Sequence, residues 1–210
     1  MVQEAAGNES ADPGARVLVL NPDAGSADHA DRVRELAARQ GMDVRETGAP
    51  GDAIALAREA AAEASLVVAA GGDGTVNEVA RGLLEADALS SVDVGIVPAG
   101  TGNNFAGNLG IEDVEHAFAV VEDGEVRTID LGFADGRPFL NSCVGGLTAE
   151  ASAETSSGAK ARFGVLAYLL STLRTAVEFD GLSLHIETPE EADEAWSGDA
   201  AFVLVGNGRR

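Results

Sequence analysis

The first 124 residues alternate strand-like runs with segments whose apolar residues recur at helical spacing. The strand-like runs lie at 16–20, 43–47, 66–70 and 94–98. The helix after the third run carries its apolar stripe at Val76, Val79, Ala80, Leu83 and Leu84. We expect Asp52 to cap the preceding helix, which would run to about Ala64. Because parallel strands need crossover connections, this alternation predicts an α/β fold, a parallel sheet flanked by helices on both faces.

The pattern changes near Gly124, where we predict a domain boundary. The segments "EVRTIDLGF" and "PFLNSCVGG" flank the turn "ADGR", which indicates a hairpin of an antiparallel sheet. The same patterns predict a mobile loop at 148–161, a helix at 160–177, and strands at 182–187 and 200–206. The predicted organisation is therefore a disordered leader at 1–15, an α/β domain at 16–124 and a β-rich domain at 125–210.

Composition narrows the classes of partner. The chain has 35 acidic and 14 basic residues and a formal net charge of −21, so we expect no nucleic-acid partner. Scattered acidic residues with almost no lysine are typical of proteins from salt-loving organisms. The single Cys143 and three scattered histidines do not form a zinc site. The chain shows neither a secretion signal nor an apolar run of membrane-spanning length, so we expect a soluble, cytoplasmic protein.

Three polar loops follow predicted parallel strands, at Asn21–Ser26, Gly71–Thr75 and Ala99–Asn104. The carboxyl ends of parallel strands form the edge at which open α/β sheets bind ligands. In the middle loop, "GGDGT" places three glycines directly before a helix. Glycines let successive N–H groups converge on an anion, and the helix dipole adds to the attraction. The loops therefore predict a phosphate site.

Neither a P-loop nor a dinucleotide fingerprint fits these loops. Asp73 would repel a phosphate unless a cation lay between them, which Mg²⁺ would do directly or through water. Alternatively, Asp73 faces a hydroxyl of the nucleotide or of the acceptor. In a purely structural interpretation, Thr75 caps the helix, and Asn77 and Glu78 are solvated residues of its first turn.

At these loops the chain resembles the diacylglycerol kinase catalytic-domain family, which includes bacterial lipid kinases and the sphingosine and ceramide kinases. "GGDGTVNEV" at 71–79 matches the signature loop of that family, and "NPDAG" at 21–25 is similar to its Asn-Pro-x-Ser-Gly turn. "PAGTGNNFA" at 98–106 resembles its Pro-x-Gly-Thr-x-Asn-Asp-Phe segment. "DLG" with "FLNSCVGG", "FGVLAYLLSTL" and "VLVGNGRR" resemble segments of its second domain.

The resemblance implies an ATP-dependent kinase that phosphorylates a lipid hydroxyl, such as that of diacylglycerol, with ATP and Mg²⁺ as cofactors. Its first domain would resemble phosphofructokinase and NAD kinase, and its second would be a β-sandwich. Asp73 would position the metal and the phosphates. The implied nucleotide-site residues are Asn21, Pro22, Asp23, Ala24, Gly25, Thr47, Gly72, Asp73, Gly74, Thr75, Val76, Asn77, Glu78 and Thr101. Two departures are Ala24 in place of serine and Asn104 where many members have aspartate.

The general base remains unassigned, because the family supplies it from a segment beyond "VGNGRR", where this chain stops. We therefore expect an incomplete β-sandwich, nucleotide binding with poor catalysis, and self-association through an uncovered sheet edge. The helix at 160–177 could receive the lipid at the inner membrane face or be a core helix. Two other functions stay open: an NAD kinase-like enzyme that phosphorylates a ribose hydroxyl, and a non-catalytic nucleotide-binding module.

Overall fold

A computed structural model describes residues 14–25, 29–146, 182–187 and 195–207. The chain divides into two compact units, the first ending at Leu140 and the second covering Asn141–Asn207. Most of the predicted leader lies outside the described residues, and its last residue, Ala15, already begins the first strand.

The first unit begins with strands and helices in strict alternation. In chain order they are β1 (Ala15–Leu20), α1 (His29–Arg39), β2 (Asp43–Glu46), α2 (Asp52–Ala60), β3 (Ala64–Gly71), α3 (Asp73–Glu85), β4 (Asp93–Pro98), α4 (Asn104–Asn108) and α5 (Val114–Asp123). The four strands form one sheet in the order β2-β1-β3-β4, and every neighbouring pair is parallel. The predicted parallel sheet flanked by helices is thus confirmed.

The sheet order explains why helices lie on both faces. The chain moves in one direction from β1 to β2 and in the other from β2 through β3 to β4. Since crossovers between parallel strands are right-handed, α1 lies on one face and α2 and α3 on the other. In agreement, α2 packs against α3, and α1 contacts α5. Helices therefore cover both faces of the sheet at its centre, where Val17–Leu20 and Val67–Ala70 are fully buried.

The second helix differs from the prediction at both ends. It ends at Ala60 rather than near Ala64, because Ala64 is already the first residue of β3. Its N-cap is Gly51, whose φ of 90° is left-handed, and no side chain caps the helix. The Asp52 carboxylate instead accepts hydrogen bonds from the N–H groups of Gly48 and Ala49, both at 2.8 Å. The predicted capping role of Asp52 is therefore wrong, and its carboxylate holds the turn before the helix.

The predicted hairpin is correct at its turn and wrong in its first strand. β5 (Gly132–Ala134) and β6 (Arg137–Phe139) pair as antiparallel strands around Asp135 and Gly136, both of which have positive φ. Residues 124–131 have no regular secondary structure. Val126 and Ile129 in that segment are exposed, so the alternating pattern there does not correspond to a buried strand face.

The same hairpin explains where the compact units divide. β6 contacts α3, and Pro138 and Leu140 are buried. The hairpin therefore packs with the parallel-sheet unit, and the division falls after Leu140 rather than near Gly124, where the sequence pattern changes.

Two antiparallel strand pairs make up the described part of the second unit. β7 (Ser142–Gly146) pairs with β10 (Phe202–Gly206), and β8 (Leu182–Ile186) pairs with β9 (Trp196–Ala200). The sequence predicted β8 and β10 but not β9. The predicted loop at 148–161 and the predicted helix at 160–177 both fall outside the described residues. Among the helices that the structure does describe, none has the length and apolar character needed to span a membrane.

Candidate functional site

The loops that follow the four parallel strands enclose a cleft of about 400 Å³ at the carboxyl edge of the sheet. Its lining residues are Asn21, Asp23, Ala24, Thr47, Gly48, Ala49, Pro50, Gly72, Gly74, Thr75, Glu78 and Gly100. This volume is within the range of small-molecule sites. The cleft lies entirely within the first unit, at the edge where open α/β sheets bind ligands.

Main-chain hydrogen bonds continue from the strands into these loops. The Asn21 N–H donates to the Ala70 carbonyl, and the Thr47 N–H donates to the Leu20 carbonyl. The Ala99 N–H donates to the Gly71 carbonyl, and each of the three distances is 2.9 Å. The start of each of these three loops is therefore hydrogen-bonded to a neighbouring strand.

The N-terminus of α3 faces this cleft through Gly74 and Thr75. Its first main-chain bond runs from the Val76 N–H to the Gly72 carbonyl at 3.2 Å, and the N-cap, Gly72, receives no side-chain cap. Within the described residues, the N–H groups of Asp73, Gly74 and Thr75 have no acceptor. Unpaired amides at the positive end of a helix dipole are an anion site.

The interpretation of Thr75 as a helix cap is not supported. Thr75 lies within the helix and is only 6% exposed. Its hydroxyl oxygen accepts a hydrogen bond from the Asn21 side-chain amide at 3.4 Å. Thr75 therefore joins the β1 and β3 loops, while the amides at the helix start stay unpaired.

Two glycines bring the loops into backbone contact. Gly25 has a φ of +64°, and a Cβ there would lie 2.4 Å from the Ala99 carbonyl oxygen. A Cβ at Gly100 would lie 2.4 Å from the Cα of Gly72. At Gly74, by contrast, a Cβ would meet no atom within 4 Å. The glycines thus serve two purposes, because some allow the loops to pack together and Gly74 leaves the cleft open.

Asp73 points away from the cleft lining and towards α4. Its Oδ2 accepts from the Asn104 N–H at 3.0 Å, and its Oδ1 accepts from the Phe105 N–H at 2.9 Å. The described residues contain no group of three or more His, Cys, Asp and Glu side chains that could hold a metal ion by themselves. The metal role of Asp73 stays a prediction, and its contact with α4 is a structural role that the sequence did not indicate.

Comparison with known proteins now decides the family. Residues 15–134 match the family model described as the diacylglycerol kinase catalytic domain. The chain belongs to this family.

Relatives and solved structures of the family agree with this assignment. The "Probable lipid kinase YegS-like" protein of Yersinia enterocolitica is 35% identical in an alignment of 200 positions, which covers 92% of this chain and 66% of that protein. The protein of the same description from Yersinia pestis is 37% identical in an alignment of 172 positions, which covers 80% of this chain and 57% of that protein. This chain therefore spans 57–66% of the length of these curated relatives. A crystal structure of a diacylglycerol kinase from Bacillus anthracis aligns with a TM-score of 0.68 and 26% identity, over 92% of this chain and 64% of that one.

Eight of the fourteen nucleotide-site residues expected from the family resemblance line the cleft. They are Asn21, Asp23, Ala24, Thr47, Gly72, Gly74, Thr75 and Glu78. The other six do not line it, namely Pro22, Gly25, Asp73, Val76, Asn77 and Thr101. Val76 is buried in the core at 3% exposure, and its amide already donates to Gly72. Its side chain therefore contributes to packing, and any part in binding stays a prediction.

One wall of the cleft was not expected from the sequence. Gly48, Ala49 and Pro50 line it from the loop after β2, and Gly100 lines it from the loop after β4. The signal was present in the sequence, because all parallel strands end at the same edge. The loop after β2 carries no motif, whereas the other three loops do.

Two carboxylates, of Asp23 and Glu78, line the cleft beside the helix start. Neither carboxylate has a hydrogen-bond or ion-pair partner among the described residues, and no Lys or Arg lines the cleft. An anion bound here would meet amide donors on one side and negative charge on the other. A hard divalent cation with oxygen ligands would balance that arrangement, so these residues fit a phosphate accompanied by Mg²⁺.

Proposed function

We propose that the chain binds ATP in this cleft and transfers its γ-phosphate to a lipid hydroxyl, such as that of diacylglycerol. The observation that carries the proposal is the start of α3, where the amides of Asp73, Gly74 and Thr75 are unpaired beside a glycine-lined cleft. Phosphoryl transfer depends mainly on positioning and charge stabilisation, which oriented amides supply. The lipid acceptor is suggested by the names of the relatives, which are described as lipid kinases.

Different residues of the cleft would bind different parts of the nucleotide. The amides at the start of α3 would bind phosphate oxygens, while the loop at 21–25 and the wall formed by Thr47–Pro50 would hold the nucleoside. Asp73 is the metal ligand that the sequence predicts, and Asp23 and Glu78 are carboxylates in the cleft that could hold the metal in its place. Bound Mg²⁺ would neutralise phosphate charge and polarise the transferred group.

The acceptor would arrive from a membrane surface. Diacylglycerol and related lipids reside in bilayers, so we propose that the protein acts peripherally at the cytoplasmic face of the membrane. Anionic lipid would repel the chain electrostatically at low salt, since the formal net charge is −21. The general base stays unassigned.

The test is product analysis with ATP radiolabelled on the γ-phosphate. The chain is incubated with Mg²⁺ and either vesicles that contain diacylglycerol or NAD in solution. Labelled phospholipid supports the proposal, and labelled NADP alone would assign the chain to ribose phosphorylation. Binding of ATP with neither product would favour the non-catalytic module, and absence of ATP binding would overturn the proposal.

A matched pair of variants links the product to the cleft. Gly74→Val places a branched side chain in the open space beside the unpaired amides, so we expect loss of ATP binding with little change in stability. Gly107→Val is the control, because Gly107 is an exposed helical glycine outside the cleft lining and its Cβ would also meet no atom within 4 Å. If both variants bound ATP equally well, the start of α3 would not be part of the ATP site.

A further inference from the structure

The loop between β3 and α3 and the loop between β4 and α4 are in direct contact. A Cβ on Gly100 would lie 2.4 Å from the Cα of Gly72 and 3.0 Å from its nitrogen. Only glycine allows the two backbones to approach this closely. A movement of one loop therefore has to displace the other.

The β4–α4 loop is held in shape by its own hydrogen bonds. The Gly100 N–H donates to Asn103 Oδ1 at 2.9 Å, and the Asn103 side-chain amide donates back to the Gly100 carbonyl at 2.8 Å. Asn103 has a left-handed backbone with a φ of 50° and is the N-cap of α4. Its side chain is used within the loop, so it does not cap the helix.

Asp73 supplies the missing cap from the start of α3. The amides of Asn104 and Phe105, the first two residues of α4, donate to Oδ2 and Oδ1 of the Asp73 carboxylate at 3.0 and 2.9 Å. The Asn104 side chain adds a weak contact to Oδ2 at 3.5 Å. The negative charge also lies at the positive end of α4, where it is favourable. Asp73 is itself the first residue of α3, so one side chain ties the starts of two helices together.

We propose that Asp73 is a positioning residue, an inter-loop clamp that fixes the unpaired amides of α3, and that it is not a ligand of the metal. The inference rests on the proposed nucleotide site. Three observations carry it: both carboxylate oxygens are engaged by backbone amides, the side chain does not line the cleft, and Gly72 and Gly100 touch at the same place. The amides of Gly74 and Thr75 follow Asp73 directly, so their direction depends on where the clamp holds it.

The Asp73→Asn variant distinguishes a clamp role of Asp73 from a role as metal ligand. An asparagine has one acceptor oxygen, so its NH₂ group would face one of the two amide donors of α4. The start of α3 would shift whether or not a metal is present. A metal ligand, in contrast, matters only when the metal is bound.

The experiment is calorimetric titration of the whole chain with ATP, once in EDTA and once in excess Mg²⁺. For Asp73→Asn we expect affinity to fall by the same factor in both conditions, roughly tenfold, the equivalent of one charge-assisted hydrogen bond. A loss confined to Mg²⁺ would make Asp73 a metal ligand and overturn the clamp, and no loss in either condition would overturn it as well. Absence of binding by the unmodified chain would instead refute the proposed nucleotide site.

Asp113→Ala is the control for a general loss of stability. Asp113 caps α5 by accepting from the His116 N–H at 2.8 Å, and it lies outside the cleft lining. We expect a lower Tm and unchanged ATP affinity for this variant. If Asp113→Ala weakened ATP binding as much as Asp73→Asn does, the clamp would be indistinguishable from ordinary destabilisation and the inference would fall.

A second measurement needs no variant and keeps the inference testable should Asp73→Asn fail to fold. Amide hydrogen exchange of Asn104 and Phe105 in the unmodified chain reports directly on their bonds to Asp73. We expect both amides to be protected in EDTA and equally protected in Mg²⁺. Exchange at the rate of unstructured amides, or protection that Mg²⁺ abolishes, would contradict the clamp.

Discussion

Strands β1 and β10 contain the same three residues, Val-Leu-Val, in two different surroundings. In β1 these are Val17, Leu18 and Val19, and all three are fully buried. In β10 they are Val203, Leu204 and Val205, and Leu204 is 62% exposed. β1 lies between two parallel strands with helices on both faces, whereas β10 pairs, among the described strands, only with β7. The comparison teaches that an apolar run predicts a strand, while the position in the sheet decides how much of that strand is buried.

The two units also differ in what their strands present to solvent. In the first unit, the buried strands fix the loops at their carboxyl ends, and these loops form the cleft. In the second unit, the described strand pairs expose large apolar side chains, including Trp196 and Phe202 at 48% and 60%. A rigid nucleotide site is consistent with the first arrangement.

The largest effect is expected from the matched leucines. Leu18→Ala removes a fully buried side chain from the centre of the sheet, which typically costs about 2–5 kcal/mol of unfolding free energy. Leu204→Ala removes a mostly exposed side chain and should cost less than about 1 kcal/mol. Urea denaturation, followed by circular dichroism and by Trp196 fluorescence, measures both.

The two probes serve as the control in that experiment. Trp196 lies in the second unit, so its fluorescence reports on that unit, while every helix that the structure describes lies in the first and contributes to the helical signal. If Leu204→Ala destabilised the chain as much as Leu18→Ala, β10 would be buried in solution and the comparison would be broken.

A smaller effect is expected from two glycines. A Cβ on Gly82 of α3 would lie 2.3 Å from the Ile54 carbonyl oxygen and 2.8 Å from the Ala57 Cβ of α2. Alanine in a helix normally stabilises by about 0.5–1 kcal/mol over glycine, but here the collision should outweigh that gain. We expect Gly82→Ala to destabilise by about 1–3 kcal/mol, as overpacked cores do.

Gly206 in β10 is the matched control. Its added Cβ would meet no atom within 4 Å, so Gly206→Ala should be neutral or slightly stabilising. The same denaturation experiment compares both variants. Stabilisation by Gly82→Ala would show that α2 and α3 are farther apart than the structure places them.

The smallest effect is expected at the surface of the first unit. Arg34 donates two hydrogen bonds to Glu46, at 2.7 and 3.0 Å, and these bonds lower the pKa of the Glu46 carboxyl. A lowered folded-state pKa contributes stability above the ordinary glutamate pKa, which is lost as the pH falls through the lowered value. Arg34→Met should therefore reduce stability slightly at neutral pH and not in acid.

High salt and a second arginine provide the controls for this prediction. Because the pair is partly exposed, the effect of Arg34→Met should shrink in high salt. Arg127→Met should have no measurable effect, since Arg127 and Glu125 are more exposed and lie 3.4 Å apart in a segment without regular structure. An Arg34→Met effect that persists in acid would show that packing, not charge, is lost.

Patterns that repeat within one element predicted the fold well. The buried runs of β1 and β3 and the apolar stripe of α3 follow from local periodicity, because each is covered by neighbouring elements. β9 lacks that signal, since "WSGDA" mixes small and polar residues. The segment at 125–131 shows the reverse, an alternating pattern without a paired strand.

The candidate site was predictable only where a motif is local. The glycine motif at 71–75 was recognised from its own residues, although the structure places Gly71 at the end of β3 and begins α3 at Asp73, earlier than the motif predicts. The contact between Asp73 and α4 joins residues 31 and 32 positions apart and exists only because β3 and β4 are neighbours in the sheet. The wall at 48–50 likewise belongs to the cleft only because of the order of the strands in the sheet. Nothing in its composition indicates a binding site.

The central claim is that the start of α3 in the first unit binds the phosphates of ATP. The most direct measurement is an NMR titration with ATP that follows the backbone amide resonances of the whole chain. We predict that the resonances of Asp73, Gly74 and Thr75 shift most, because their N–H groups are unpaired in the structure. Binding of ATP that leaves these three resonances unchanged, or that shifts mainly the strands of the second unit, would contradict the account.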